Sequence, residues 1–289
     1  MIPLDNYLFG AQGALRCPVC KTPMTRSRNE DGHGGSLLCQ GERQHCFDLS
    51  RAGHVHLAPR HSGGGDAKVA VVARSAFLGA GYYDAALRTL VALVDAHIGG
   101  GLIVDAGCGE GYYTGGVARA LGERAVLCGF DLSRDAVQSA AKAAGRESLA
   151  AFYAVASVFE LPLADGCADG VLNIFAPCAE HEYCRVMKDG GKLIVVGAGE
   201  NHLLGLKRAI YDEVYVNETR ADLPIGMTLI EERTVEDVIT VKGAQTIAAL
   251  FLMTPYYWRT PRAAAEKLAR LESLVTEISF DFKVYQKLK

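Results

Sequence analysis

Two clusters of residues in this chain have the types and spacing to do chemistry. The first, Leu102 to Thr114 (LIVDAGCGEGYYT), is a short apolar run that ends in Asp105 and breaks into a glycine-rich turn before a helical pattern. Gly107, Gly109 and Gly111 remove side chains where backbone must turn and approach a ligand. A helix beginning near Tyr112 offers unpaired N–H groups in its first turn. A nucleotide-like ligand suits that arrangement, but a pyrophosphate does not: G-x-G-x-G is shorter than the dinucleotide fingerprint, and Glu110 adds a carboxylate to the turn. A cationic ligand without phosphate tolerates it. Ala125 to Ser133 (AVLCGFDLS) reads as a second strand ending in Asp131, 26 residues after Asp105, with Ser133 as a helix cap. An acidic residue at that tip can accept both hydroxyls of a ribose.

The second cluster lies near the start of the chain. Arg16 to Cys20 (RCPVC) is a C-x-x-C knuckle whose proline favours the turn that lets two thiolates face one metal. Cys39 follows after 18 residues, and His45 or Cys46 completes a set of four soft ligands suited to tetrahedral zinc. A redox C-x-x-C usually sits on a βαβ unit, which this stretch lacks. His45 is the expected fourth ligand with Cys46 as the alternative, because adjacent side chains diverge in an extended segment. The segment from Arg16 to Arg74 holds nine basic residues against five acidic ones, which suggests contact with a polyanion. With four ligands already assigned, His54, His56 and His61 read as surface or RNA-facing residues.

These residues need elements to hold them. Residues 1–58 read as a small zinc-binding module, 59–68 (RHSGGGDAK within it) as a linker, and 69–289 as one large domain. Two helices separated at Gly79 to Tyr83 precede the first strand, with Asp84 capping the second. Strands are expected over Leu149 to Ala156, Gly170 to Ala176 and Asp189 to Val196, a helix over Glu200 to Val216, and closing antiparallel strands over Met227 to Val241 and Ile278 to Lys287. Strand and helix alternate as a parallel doubly wound α/β sheet requires. Met253 to Arg259 (MTPYYWR) is an aromatic and arginine cluster that suits either stacking on an unpaired base or core packing.

Composition bounds the rest. At 289 residues, 49% of them apolar, the chain has the size of one large α/β domain plus a small module, and its net charge of −3 excludes a general polycation. No run of 18 apolar residues exists, and MIPLDNYLFG lacks the basic flank and apolar core of a signal peptide. Nine cysteines, several in apparent core strands, fit a reducing cytoplasm better than a disulfide framework.

The order D-x-G-x-G-x-G resembles the first motif of class I methyltransferases. Together RCPVC with Cys39 and His45, HCFDLSRAGHVHL, ARSAFLGAGYY, VDAGCGEGYYT, FDLS, IFAPC and MTPYYWR resemble, in order and over nearly the whole chain, the zinc-containing large-subunit ribosomal RNA guanine-N1 methyltransferases, the RlmA type. The resemblance implies a class I (Rossmann-like) methyltransferase fold with S-adenosylmethionine as cofactor, structural zinc, an RNA-reading N-terminal module and a homodimer. It implies cofactor contacts from Asp105, Gly107, Gly109, Gly111, Tyr112, Tyr113, Asp131 and Leu132, from Ser157 and Val158 against the adenine, and from Arg74 and Tyr83 near the methionine end. The zinc ligands it implies are Cys17, Cys20, Cys39 and His45, although the Cys39 to His45 gap is longer than the family pattern by about two residues, which keeps Cys46 in play. Ala176-Pro177-Cys178 stands where adenine N6 methyltransferases carry N/D-P-P-Y/F, and Cys178 has none of the other features of a cytosine-C5 nucleophile. Guanine N1 carries a proton, so an acceptor is needed; the sequence identifies none, and Glu213 enters only as an acidic residue near helical aromatics. The alternative is a small-molecule methyltransferase that uses its zinc module only as structure. Which guanine is modified is not encoded in these motifs.

Overall fold

The computed structural model describes residues 4–27, 35–58, 65–218 and 224–289. The expected linker residues 59–64, including His61, lie outside them, as do residues 28–34. A short helix α1 (Leu4–Leu8) leads into a three-stranded antiparallel sheet, β1 (Met24–Ser27), β2 (Ser36–Cys39) and β3 (Cys46–Asp48). Then follow β4 (Val55–His56), α2 (Lys68–Gly79), α3 (Asp84–His97), β5 (Gly101–Ala106), α4 (Tyr112–Leu121), β6 (Ala125–Asp131), α5 (Arg134–Glu147) and β7 (Ala151–Val155). The second half runs β8 (Ala168–Ile174), α6 (Glu180–Val186), β9 (Met187–Ala198), α7 (Leu204–Ile210), β10 (Met227–Lys242), α8 (Ala244–Leu252), α9 (Arg262–Leu268) and β11 (Ser273–Lys287).

The main sheet has eight strands in the order β10-β11-β9-β8-β5-β6-β7-β4, parallel from β9 to β4 and antiparallel where β11 meets β9 and β10. Chain order reverses beside β5, and there the carboxyl ends of β5 and β8 splay toward different helices; a ligand crevice forms at such a point. Residues Leu102–Ala106 are buried throughout, as a parallel strand covered on both faces must be. Ser133 caps α5 as expected, its hydroxyl accepting the Ala136 N–H at 3.3 Å.

The amino-terminal residues do not form a core of their own. Leu8, Leu15, Cys17, Met24, Leu37 and Val55 pack in one cluster with Val104, Phe130 and Phe152 on one face of the main sheet. β4 adds a strand to that sheet, pairing Val55 with Ala154 and His56 with Val155. Helices α2, α3, α4, α7 and α8 cover the other face. The helix expected over 200–216 is confined to α7, because Leu203 adopts a left-handed φ of 60° and Tyr211 is already extended. Among the described residues no helix is long and apolar enough to cross a membrane.

Candidate functional site

The carboxyl ends of the central strands open into a cavity of about 750 Å³, within the range of small-molecule sites. Ten of the residues expected from sequence to hold a cofactor line it: Arg74, Tyr83, Gly107, Gly109, Tyr112, Tyr113, Asp131, Leu132, Ser157 and Val158. Asp105 and Gly111 stand behind the lining. Gly107 has φ 91°, and a Cβ there would collide with the Ala176 side chain, so glycine alone fits. Gly111 caps α4 at φ 81° and packs against Ala140, which aims the first turn of α4 at the cavity.

Electrostatics at this end are set by four carboxylates and one arginine. Asp131 accepts the Gly109 N–H at 3.0 Å and the Ser133 N–H at 2.7 Å, which ties the tip of β6 to the glycine turn and leaves lone pairs on both oxygens. Glu110 is buried, and Arg74 donates to it at 3.3 Å and also to Asp66. The guanidinium thus offsets the charge that made Glu110 an awkward turn residue. Asp105 is 1% exposed; burial pushes its carboxyl up to about 7, the Thr114 hydroxyl bonds one oxygen, and the other has no hydrogen-bond partner among the described residues. The buried Tyr113 hydroxyl likewise has none among the described residues, and burial together with the neighbouring Tyr83 and Tyr112 phenols keeps it protonated.

Of the opposite end the sequence singled out Met253 to Tyr256 and the strand end at Ile174 to Pro177, whereas Ala198, His202, Leu203, Asn217 and Glu218 were missed. Ile174, Phe175, Ala176, Pro177, Ala198, His202, Leu203, Asn217, Glu218 and Met253 to Tyr256 complete the lining. The loop after β8 is fixed by Asn173, whose amide donates to the Pro177 carbonyl at 3.0 Å and to the Tyr183 hydroxyl at 2.9 Å. Asn217 donates to the carbonyls of Gly199, Glu200 and His202 and accepts from Lys207 and the Tyr256 hydroxyl. Met253 to Tyr256 face the cavity, whereas Trp258 is 77% exposed, so the aromatic cluster divides between wall and surface. Gly65 and Asp66 also reach the lining, from within the expected linker. Glu213 does not line the cavity; on the surface its carboxylate accepts the Tyr215 hydroxyl at 2.8 Å, and Cys178 is also absent from the lining.

Some distance along the same sheet face, Cys17, Cys20, Cys39 and His45 bring their ligand atoms within 4.8 Å of one another. Separations are 3.6 Å between the Cys20 and Cys39 sulfurs, and 3.7 and 3.4 Å from His45 Nδ1 to the Cys17 and Cys39 sulfurs. Ligands about 2.0 to 2.3 Å from a tetrahedral ion stand about 3.5 to 3.8 Å apart, so the donor set fits zinc. The Thr22 hydroxyl at 3.1 Å lowers the Cys20 thiol to about 6, favouring the thiolate that a metal requires. Cys46 is exposed on β3 and outside this group. His54 departs from the surface reading: it is 6% exposed, with Ser50 Oγ 2.7 Å from its Nδ1, and burial lowers its pKa. His56 is exposed as expected. The knuckle docks on the loop beyond Ser157, with the Arg16 N–H donating to the Pro162 carbonyl at 2.9 Å and Lys21 to Glu160 at 2.6 Å.

Comparison with known proteins agrees with this geometry. Residues 103–191 match a family model described as a methyltransferase domain. YxjB of Bacillus subtilis, provisionally named a 23S rRNA (guanine-N(1)-)-methyltransferase, is 30% identical over 94% of this chain and 97% of its own. A Micromonospora griseorubida protein with the same provisional name is 33% identical over 91% and 93%. The 23S rRNA (guanine(748)-N(1))-methyltransferase of Streptomyces fradiae is 36% identical over 68% of this chain and 67% of its own.

Proposed function

The chain belongs to the 23S rRNA (guanine-N(1)-)-methyltransferase family, and on that footing we propose that it transfers a methyl group from S-adenosylmethionine to N1 of a guanine in a hairpin loop of large-subunit ribosomal RNA. The observation that carries the cofactor assignment is that the glycine turn, the Asp131 tip and Tyr113 line one cavity, where the Tyr113 hydroxyl and, behind the lining, Asp105 Oδ1 have no hydrogen-bond partner among the described residues. A ligand with an ammonium and a carboxylate satisfies an orphaned acceptor and an orphaned donor together. The methionine end of the cofactor has both. Asp131 then takes the ribose hydroxyls, the backbone at Gly107, Gly109 and Gly111 follows the cofactor's contour, Tyr112 and Arg74 close over it, and Leu132, Ser157 and Val158 meet the adenine.

When bound, S-adenosylmethionine supplies a methyl group already activated by positive sulfur. What the chain must add is alignment and exclusion of water. The apolar wall of Ile174, Phe175, Ala176 and Pro177 lies between the glycine turn and the aromatic end, where a planar base would meet the methyl group. The N1 proton needs an acceptor as the methyl arrives. Asp66 and Glu110 are engaged by Arg74 and Asp131 by backbone N–H groups, which leaves Glu218 among the described carboxylates of the lining. Guanine N1 lies on the pairing edge, so the base must be unpaired or flipped, and the exposed Trp258 offers a stacking surface beside the entrance. Zinc takes no part in the chemistry in this reading; held by Cys17, Cys20, Cys39 and His45, it shapes residues 1–58 as a basic RNA-reading module. Family resemblance makes a homodimer the expected assembly.

Transfer of labelled methyl from S-adenosylmethionine to unmodified large-subunit ribosomal RNA, followed by nucleoside mass spectrometry, tests the reading. The expected product is 1-methylguanosine. Cofactor binding without incorporation into RNA would move the activity to a small-molecule acceptor.

A further inference from the structure

At the aromatic end of the cavity the ring of one tyrosine packs among other rings. Tyr83 lies 4.8 Å from Phe280, 5.3 Å from Phe77 and 5.8 Å from His202, ring centre to ring centre, and Phe175 lies 6.0 Å from His202. The hydrogen bonds there have a definite direction. The Ser279 backbone N–H donates to His202 Nδ1 at 3.2 Å, so that nitrogen must present its lone pair. His202 is 6% exposed, and burial holds its pKa down to about 4, so the ring is neutral near pH 7 and carries its proton on Nε2. Nε2 is 3.2 Å from the Tyr83 oxygen, which therefore accepts. Among the described residues the Tyr83 proton has no acceptor, although the residue lines the cavity. Burial raises the pKa of this phenol, so it stays a donor.

We propose that the Tyr83 hydroxyl, oriented by His202 and the Ser279 N–H, donates a hydrogen bond to the O6 carbonyl of the target guanine. The inference rests on the guanine-N1 reading above and reassigns Tyr83 from the cofactor to the base. As N1 gives up its proton, negative charge spreads onto O6, and a fixed donor in a water-poor pocket stabilises charge that develops there. The same donor favours a 6-oxopurine over adenine, whose 6-amino group would meet it donor to donor. A methionine carboxylate fits this place poorly, because the Tyr83 ring packs among Phe77, Phe280 and His202. His202 is a positioning residue, since its lone pair is committed to Ser279 and its proton to Tyr83.

A cycle between protein and substrate tests the assignment. Full-length wild-type, Tyr83→Phe and His202→Phe proteins are assayed on an RNA hairpin carrying guanosine and on the same hairpin carrying 6-thioguanosine, whose sulfur accepts hydrogen bonds weakly. Wild-type kcat should fall about 100-fold on the thio substrate, Tyr83→Phe should fall about as far on guanosine, and the two losses should not multiply. His202→Phe should lose about 10-fold in kcat on guanosine and little more on the thio substrate, with KM nearly constant. Affinity for S-adenosylhomocysteine, measured by calorimetry, should stay within twofold in both variants, which also shows that they fold. Losses that multiply, or cofactor affinity that falls with Tyr83→Phe, would overturn the inference while the guanine reading stands. Absence of 1-methylguanosine from the wild-type reaction overturns both.

Discussion

The two ends of the cavity are made of different material. At the glycine-turn end the working groups are backbone N–H groups and two strand-tip carboxylates, drawn from Asp105 to Tyr113 and from Asp131 to Ser133. At the other end they are side chains from positions far apart in sequence: Tyr83 before α3, Phe175 after β8, His202 before α7, Asn217, and Met253 to Tyr256 after α8. The first end fits a ligand of fixed chemistry, so local chain geometry can specify it. The second, which in the proposed reading meets the base, is assembled by packing. The metal cluster docks on the loop beyond Ser157, which joins it to the first end.

That division can be broken in two opposite directions. Cys17→Ser should abolish metal binding, measured by metal content, and weaken RNA binding at least about tenfold, because a structural site short of one ligand loses the fold that metal binding drives. Cofactor affinity should change less than RNA affinity; a variant without metal that binds RNA normally would show that the module is not the reader. Asp131→Ala should lower cofactor affinity about 100-fold by calorimetry, since two charge-assisted hydrogen bonds to the ribose go with the carboxylate. Its metal content and RNA binding should persist, and retained cofactor affinity would remove Asp131 from the ribose.

The smallest effect concerns Asp105 and depends on pH. Its folded pKa of about 7 lies above an ordinary 3.8, so the carboxyl favours the folded, cofactor-free chain only while protonated. Its contribution is complete below about pH 4 and disappears as pH rises through 7, a loss on the order of a few kcal/mol. Asp105→Asn should therefore raise the thermal midpoint of the cofactor-free protein at pH 8 and leave it nearly unchanged at pH 4. It should also remove the rise in cofactor affinity expected in the wild type between pH 6 and 8, as the ionised oxygen becomes available to an ammonium. A midpoint that does not respond at pH 8 would mean that burial does not raise the Asp105 pKa in the fold.

The glycine turn, the strand-tip Asp131 and the Cys17, Cys20, Cys39 and His45 set were legible because each is a local rule. Positive φ selects glycine, a strand tip places a carboxylate, and a C-x-x-C turn converges two sulfurs. Alternation along an extended segment allowed only one of His45 and Cys46 in the cluster, and the structure places His45 there and turns Cys46 outward on β3. The segment after α7 was misread because its polar side chains compete with helix formation: Asn217 takes three backbone carbonyls, and Lys207 binds the Tyr215 carbonyl. Only tertiary pairing put β4 into the main sheet and gave residues 1–58 a shared core with it. Sequence by itself determined which groups gather at the glycine turn and in the cysteine and histidine cluster, because backbone conformation and short spacing decide them. The tertiary structure alone decided the far wall, where a histidine's tautomer is set by a backbone N–H from β11 and read out by a tyrosine 119 residues earlier in the chain, and no local pattern encodes that contact.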